Sequence, residues 1–407
     1  MEKITGKTKY LLGMQHVLAM FGATVLVPFL TGLHPLIALF AAGAGTLIFH
    51  SVTKKIVPVF LGSSFAFIGA ISFVLKNEGL AEVKAGIIGA GLVYVIMAGV
   101  IKKFGVKSVQ SFFPPIVIGP TIMVIGLRLS PIALEMAGYS DGAFDSKSLI
   151  IALIVISTMV ISSIIQHSFF KMMPILIAVT VGYISAYFMG MVNFDPVVNA
   201  HWFGFSGEVI DQVLTIPKFT ASGFFAIAPV ALVVFIEHIG DITTNGAVVG
   251  KNFLKNPGIH RTMLGDGLAT MFAGLFGGPA NTTYGENTGV LAVTKVYDPS
   301  VIRIAAVFAI LLSMIGKVGA ILQTIPVPVM GGISIILFGM IAAVGVRTLI
   351  SAKLDFAHSR NLIITALIFV LGIGIKEVAV WNTISISGLS IAAFVGVLLN
   401  KVLPKDI

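Results

Sequence analysis

Four acidic residues sit where acids are expensive: Glu237, Asp241, Asp266 and Glu286 all lie in apolar stretches, whereas most of the chain's seventeen acids fall in polar connections. An ionised carboxylate in hydrocarbon costs about 2.5–3.5 kcal/mol even on lenient insertion scales, so each needs a compensating role. Glu237 and Asp241 are four residues apart and share one face of a helix. Two carboxylates that close do not both ionise readily in a poorly solvated site, so the pair can hold an exchangeable proton. A hydrated position at the cytoplasmic end of the helix is the other reading of Asp241. Glu286 lies in Tyr284-Gly285-Glu286-Asn287-Thr288-Gly289, where the glycines allow close approach to the backbone, and it suits a ligand anchor. Asp266, between Gly265 and Gly267 near a basic loop, is expected to serve as a helix-end or loop partner.

Histidine titrates near neutral pH, so His16 and His238 are candidate proton carriers. His16 follows Gln15 and could equally tie two segments together by hydrogen bonding. His238 neighbours Glu237 in sequence but points about 100° away on a helix, which argues against their pairing. Arg128 and Lys317 lie within apolar segments and are expected to snorkel or pair locally. Cysteine is absent, which excludes disulfides, thiol chemistry and Cys-ligated metals. No metal-ligand cluster or nucleophile–base constellation is legible, so neither an enzyme nor a cofactor is expected.

The elements that must position these residues are apolar helices. The 407 residues are 57% hydrophobic and only 11% charged, against roughly 25% charged in an ordinary globular chain. Apolar runs recur over approximately 11–32, 34–51, 57–75, 85–101, 112–134, 148–167, 172–193, 222–241, 261–279, 284–297, 300–322, 326–350, 361–375 and 383–403. That pattern describes an all-α polytopic membrane protein with fourteen transmembrane segments. With the N-terminus inside, 19 of the 26 lysines and arginines fall on the cytoplasmic side, 5 fall outside (Lys84 among them) and 2 lie within spans. The net charge of +9 is therefore a topology signal with both termini cytoplasmic, and nucleic acid is not an expected partner. Lys3, Lys7 and Lys9 precede an apolar stretch as in a signal peptide, but Gln15 and His16 interrupt it, and a retained first helix is expected.

Fourteen spans divide into seven plus seven, and an odd number per half requires the second half to enter the membrane inverted. Ser63-Ser64-Phe65-Ala66 in span three parallels Thr282-Thr283-Tyr284-Gly285 in span ten. Pro114 and Pro326 each precede a glycine by five residues, Gly119 and Gly331. Gly277, Gly278, Pro279, Asn281 and Gly285 make a regular helix through span ten improbable. Irregular backbone at membrane depth survives only where protein or a watery cavity satisfies it. Two broken segments in corresponding positions point to a midplane substrate site.

Four motifs in order along the chain resemble the nucleobase–ascorbate transporter family. Glu286-Asn287-Thr288-Gly289 through Thr294-Lys295 fits its signature [Q/E/P]-N-x-G-x-x-x-x-T-[R/K/G]. Gln15-His16 is similar to its first-helix QH pair, Glu237-His238-Ile239-Gly240 to its eighth-helix motif, and Gly62–Phe67 to its third-helix motif. Glutamate at the first signature position is typical of the uracil-carrying branch. The resemblance implies a 7+7 inverted repeat with short strands in broken spans 3 and 10. It implies a core domain from residues 1–107 (spans 1–4) and 222–322 (spans 8–11), and a gate domain from 108–221 (spans 5–7) and 323–407 (spans 12–14). It further implies that Glu237 and Glu286 bind the pyrimidine, that Phe65 packs on it, and that backbone near Ala23, Tyr284 and Gly285 meets its carbonyls. Gln15, His16, Asn287, Ser334 and Phe338 would support the site. The family's proton-linked histidine, one turn after the eighth-helix glutamate, is replaced by Asp241, so Asp241, Glu286 or Glu237 would carry the proton. The resemblance implies a proton-coupled uracil importer of the bacterial cytoplasmic (inner) membrane working by alternating access, and a homodimer. A xanthine or purine symporter of the same family, or a channel-like facilitator, is the alternative.

Overall fold

Backbone groups have no water to bond in a bilayer, so apolar runs of this length are stable there as helices. The computed structural model describes residues 6–105, 114–165, 167, 170, 173–204, 206–381 and 384–404, and they are mostly helical. The first half carries α1 (Gly6–Thr31), α2 (Pro35–Val52), β1 (Leu61–Ser63), α3 (Ile68–Asn77), α4 (Leu80–Phe104), α5 (Pro115–Arg128) and α6 (Ser130–Met136). It continues through β2 (Tyr139–Ser140), β3 (Ala143–Phe144), α7 (Ser146–Ile164), α8 (Pro174–Phe188), α9 (Asp195–Asn199) and α10 (Gly207–Leu214). The second half carries α11 (Ala221–Ile227), α12 (Val230–Val249), α13 (Ile259–Phe276), β4 (Asn281–Thr283), α14 (Gly285–Thr294), α15 (Pro299–Ser313) and α16 (Gly316–Gln323). It ends with α17 (Val327–Ser351), α18 (Ser359–Gly374), β5 (Glu377–Trp381), β6 (Ile384–Ser387) and α19 (Gly388–Val402).

Among the described residues seven helices are long and apolar enough to cross a membrane, and α15 with α16, bent by 80°, make an eighth. Small residues let these helices approach closely, as is usual where lipid supplies no hydrophobic drive. A Cβ on Gly91 of α4 would stand 2.6 Å from the Gly267 carbonyl of α13, and one on Gly345 of α17 would stand 2.5 Å from the Gly119 carbonyl of α5.

Two of the interruptions meet. β1 and β4 pair antiparallel with Leu61 opposite Thr283, Gly62 opposite Thr282 and Ser63 opposite Asn281. β1 leads through a short 3-10 turn, Phe65–Phe67, into α3, and β4 leads directly into α14. Away from this crossing, β2 and β3 form a small hairpin, and β5 pairs with β6, a ribbon inside a region expected to be connection and helix.

Several charged residues depart from expectation. Lys84, assigned to an outer loop, lies in α4 and is fully buried; its ammonium donates to the carbonyls of Gln212, Val213 and Thr215 at the C-terminal end of α10. Those carbonyls have no partner within their own helix, so the buried cation and the helix end satisfy one another. Arg128 and Lys317 also reach backbone carbonyls far along the chain. Arg128 donates to the Lys376 carbonyl, and Lys317 to the carbonyls of Val197 and Val198, with its ammonium 5.9 Å from the Trp202 ring centre.

Candidate functional site

The crossing is built by side chains that satisfy non-helical backbone. Pro28 inside α1 has no N–H, which frees the carbonyl of Thr24, and the Ser63 hydroxyl donates to it at 3.1 Å. Thr46 of α2 accepts from Leu61 N at 2.9 Å, and His50 Nε2 meets the Val59 carbonyl at 3.0 Å, tying β1 to α2. Asn281 of β4 donates to the Ala41 carbonyl at 3.0 Å and exchanges bonds with the Thr270 hydroxyl. Tyr284 lies under β1: its hydroxyl donates to the Ser63 carbonyl at 3.0 Å, and a Cβ on Gly62 would overlap its ring.

The acids gather around this frame. Asp241 does not end its helix: α12 runs eight residues further, to Val249, and the Asp241 carboxylate accepts from the Thr283 hydroxyl of β4 at 2.8 Å. Glu286 occupies the first turn of α14, where unpaired peptide N–H groups and the helix dipole favour negative charge. Glu237, Asp241 and Glu286 interact electrostatically and are all half-buried. Asp266 departs from expectation, because it is neither at a helix end nor in a loop. It is fully buried in α13, with Oδ2 at 3.0 Å from His238 Nδ1, while His238 Nε2 lies 2.9 Å from the Thr262 hydroxyl.

Supporting residues fall into two groups. Asn287 donates to His16 Nδ1 at 3.1 Å and to the His16 carbonyl at 3.0 Å, so His16 ties α1 to α14. Gln15 is half-buried, and its side-chain carbonyl oxygen has no partner among the described residues. Phe65 is half-buried against Phe338 of α17, with ring centres 6.2 Å apart and edge to face. Ser334 donates to its own helix at the Met330 carbonyl, 2.7 Å, and does not reach the acids by that bond. Of the backbone groups expected near a ligand, Gly285 is exposed at the start of α14, but the Tyr284 amide is spent on the Phe60 carbonyl at 3.0 Å. Ala23 is fully buried within α1, inside the helical hydrogen-bond ladder.

A sequence profile described as the Permease family matches residues 7–380. The chain is 43% identical to the probable uracil permease of Haemophilus influenzae over 97% of this chain and 94% of that protein. It is 41% identical to the uracil permease of Escherichia coli K12 over 96% and 90%. The chain belongs to this permease family, the nucleobase–ascorbate transporters. Two solved structures share the fold. One is the transmembrane domain of the cyanobacterial bicarbonate transporter BicA (TM-score 0.64, 16% identity, 97% of this chain and 96% of that one). The other is the murine Solute Carrier 26 family member A9 anion transporter (TM-score 0.72, 14% identity, 98% and 68%). The protein is thus an integral membrane transporter of bacterial inner-membrane type and not an enzyme.

Within this permease fold the acids open onto a defined face. On α12, Gly240 and Thr244 are exposed on the Glu237 face; on α14, Gly289 and Val293 are exposed on the Glu286 face. Both rows run from the acids toward the C-terminal ends of their helices. Toward the C-terminal end of α1, the seam between the crossing and helices α5, α6 and α17 is filled by buried Val27, Ile68, Leu129, Ala133 and Phe338, with Phe65 against them. Sequence reasoning singled out the acids, Phe65, His16 and Asn287, which lie at or beside the crossing. It missed Asn245 of α12, which donates to the Pro58 carbonyl and the Thr288 hydroxyl, and it missed the partnership of Asp266 with His238.

Proposed function

We propose that this permease imports uracil together with a proton. Uracil offers two N–H donors and two carbonyl acceptors. The half-buried carboxylates of Glu237 and Glu286 suit the donors, and the exposed start of α14 supplies peptide N–H groups for a carbonyl. The observation that carries this reading is the meeting of Glu237, Asp241 and Glu286 at the β1–β4 crossing, in a chain whose 41–43% identical relatives include named uracil permeases. Cytosine replaces one donor with an acceptor and would leave a carboxylate unsatisfied.

Asp241 is the proposed residence of the proton, within reach of both glutamates and held by Thr283. Protonation would neutralise a carboxylate that otherwise resists burial as the seam closes. We further propose fourteen spans in a seven-plus-seven inverted repeat with cytoplasmic termini. Residues 1–107 and 222–322 would form a core that moves against a gate of 108–221 and 323–407, in a protein that can dimerise. The antiparallel pairing of β1 with β4 supports the two-fold relation. The filled seam at one end and the exposed residues on the acid faces at the other support a conformation open to the cytoplasm.

Radiolabelled uracil uptake into proteoliposomes, with and without an inward pH gradient, tests the reading. Gradient-driven accumulation in wild type, lost in Asp241→Asn but with uracil binding retained, is the expected result. Uracil that only equilibrates would identify a facilitator, and stronger competition by xanthine than by uracil would identify a purine carrier.

A further inference from the structure

The shut end of the seam holds a cavity of about 560 Å³, well within the roughly 300–1,000 Å³ of small-molecule sites. Its lining includes Phe29, Glu135, Met136, Ser148, Asn193 and Gln323. Three helices run through cavity and plug in the same order. On α1, Thr24 meets the crossing, Val27 is in the apolar plug and Phe29 lines the cavity. At 1.5 Å per residue, Phe29 stands roughly 7–8 Å beyond Thr24. On α6, Ala133 is in the plug and Glu135 and Met136 line the cavity, while α17 passes from Val327 and Pro328 in the lining to Phe338 in the plug. The cavity therefore adjoins the plug, beyond Thr24 along α1. Among the described residues no lysine or arginine lines it, and it sits at the end of α1 opposite Lys7 and Lys9, which makes it the outer side under the positive-inside rule.

Its polar groups are set for an amide edge. Glu135 is exposed and has no ion pair among the described residues. Gln323 spends Nε2 on His34 at 3.1 Å, leaving its carbonyl oxygen to accept. Asn193 spends Oδ1 on the Asp195 amide at 2.9 Å, leaving its NH2 to donate. Phe29, half-buried, adds an aromatic surface for a flat ring.

We propose that this cavity is an outer docking station that takes a planar, uncharged nucleobase before the plug opens. It rests on the transport reading above, and it adds a second site that the substrate leaves on entry. The chain has no cysteine, so single-cysteine variants need no prior editing. Asn193→Cys in sealed proteoliposomes, capped by a bulky membrane-impermeant thiol reagent, is expected to lose most of its uracil entry rate relative to the same variant left uncapped. Phe29→Ala is expected to raise the KM for entry about five-fold, the size of one aromatic contact, and to leave the KM for exit from preloaded vesicles unaltered. An unchanged entry rate after capping together with an unchanged entry KM in Phe29→Ala would overturn the docking station. Failure of wild type to bind uracil would overturn the substrate instead, and both arms would then be run with the nucleobase it does carry.

Discussion

The two arms of the crossing have nearly the same backbone and opposite chemistry. Each is a three-residue strand that enters a helix, and they pair residue for residue. The first arm continues with Phe65-Ala66-Phe67 and carries no acid before Glu78; it contributes an aromatic ring and an apolar contact with Phe338. The second continues with Tyr284-Gly285-Glu286-Asn287 and contributes a carboxylate, an exposed helix start and a bond to His16. A shared scaffold has thus been divided between shape on one side and charge on the other. Further acids, Glu237 and Asp241, come from α12, and Asp241 is held by Thr283 of the second arm.

The division can be broken from the charged side first. Glu286→Gln and Glu237→Gln each remove a charged hydrogen-bond acceptor, worth about 1.5–3 kcal/mol, so uracil binding should weaken by about 10–100-fold and accumulation should cease. Calorimetric binding and uptake would both read this, and wild-type accumulation by either variant would move the charge elsewhere. Gly62→Ala attacks the shared scaffold, because its Cβ would overlap the Tyr284 ring. A loss of about 1–3 kcal/mol is expected in thermal unfolding in detergent, with part recovered when Tyr284 is also reduced to Ala.

The shape side should be more forgiving. Phe65→Leu keeps an apolar body but loses the edge-to-face contact with Phe338, and should weaken binding by about 1 kcal/mol or less while gradient coupling persists. Smallest of all is the tie between α1 and α15, where Lys9 meets Asp298 at 2.6 Å and both are partly exposed. Burial pushes the Asp298 carboxyl up, but bonds from Lys9 and Ser300 outweigh it and hold the group below its usual range. Its contribution is therefore present at neutral pH and is lost as pH falls through that lowered value. Lys9→Ala should cost less than about 1 kcal/mol, and the difference from wild type should vanish in acid melts.

The sequence made much of this legible because membrane chemistry writes in large letters. Intramembrane acids are rare enough that Glu237, Asp241 and Glu286 stood out one by one, and the Gly-Pro-Asn cluster around Pro279 marked a break without any alignment. Partnerships were a different matter. Asp266 sits between two glycines near basic residues, which fits a helix end, and only packing of α13 on α12 reveals His238 as its partner. Lys84 was legible as a charge but not as a cap, because its acceptors are 128 to 131 residues away. The aromatic division between the arms was visible, since Phe65 and Tyr284 are aligned in sequence; that Tyr284 spends both its hydroxyl and its amide on the first arm was not.

The strand pairing also sets a timetable for synthesis. Leu61 pairs with Thr283, so more than two hundred residues separate the two arms along the chain. At about 5–20 residues per second, roughly 10–40 s pass between the emergence of the first arm and that of its partner. Throughout that interval the edge of β1 that faces β4 lacks its partner, although Leu61 N has the Thr46 hydroxyl, and lipid cannot take the place of β4. The first arm must therefore wait in a sheltered place, at the insertion machinery or at the water boundary, until the second reaches it. The proposed substrate site becomes complete only when the two ends of this long delay are joined.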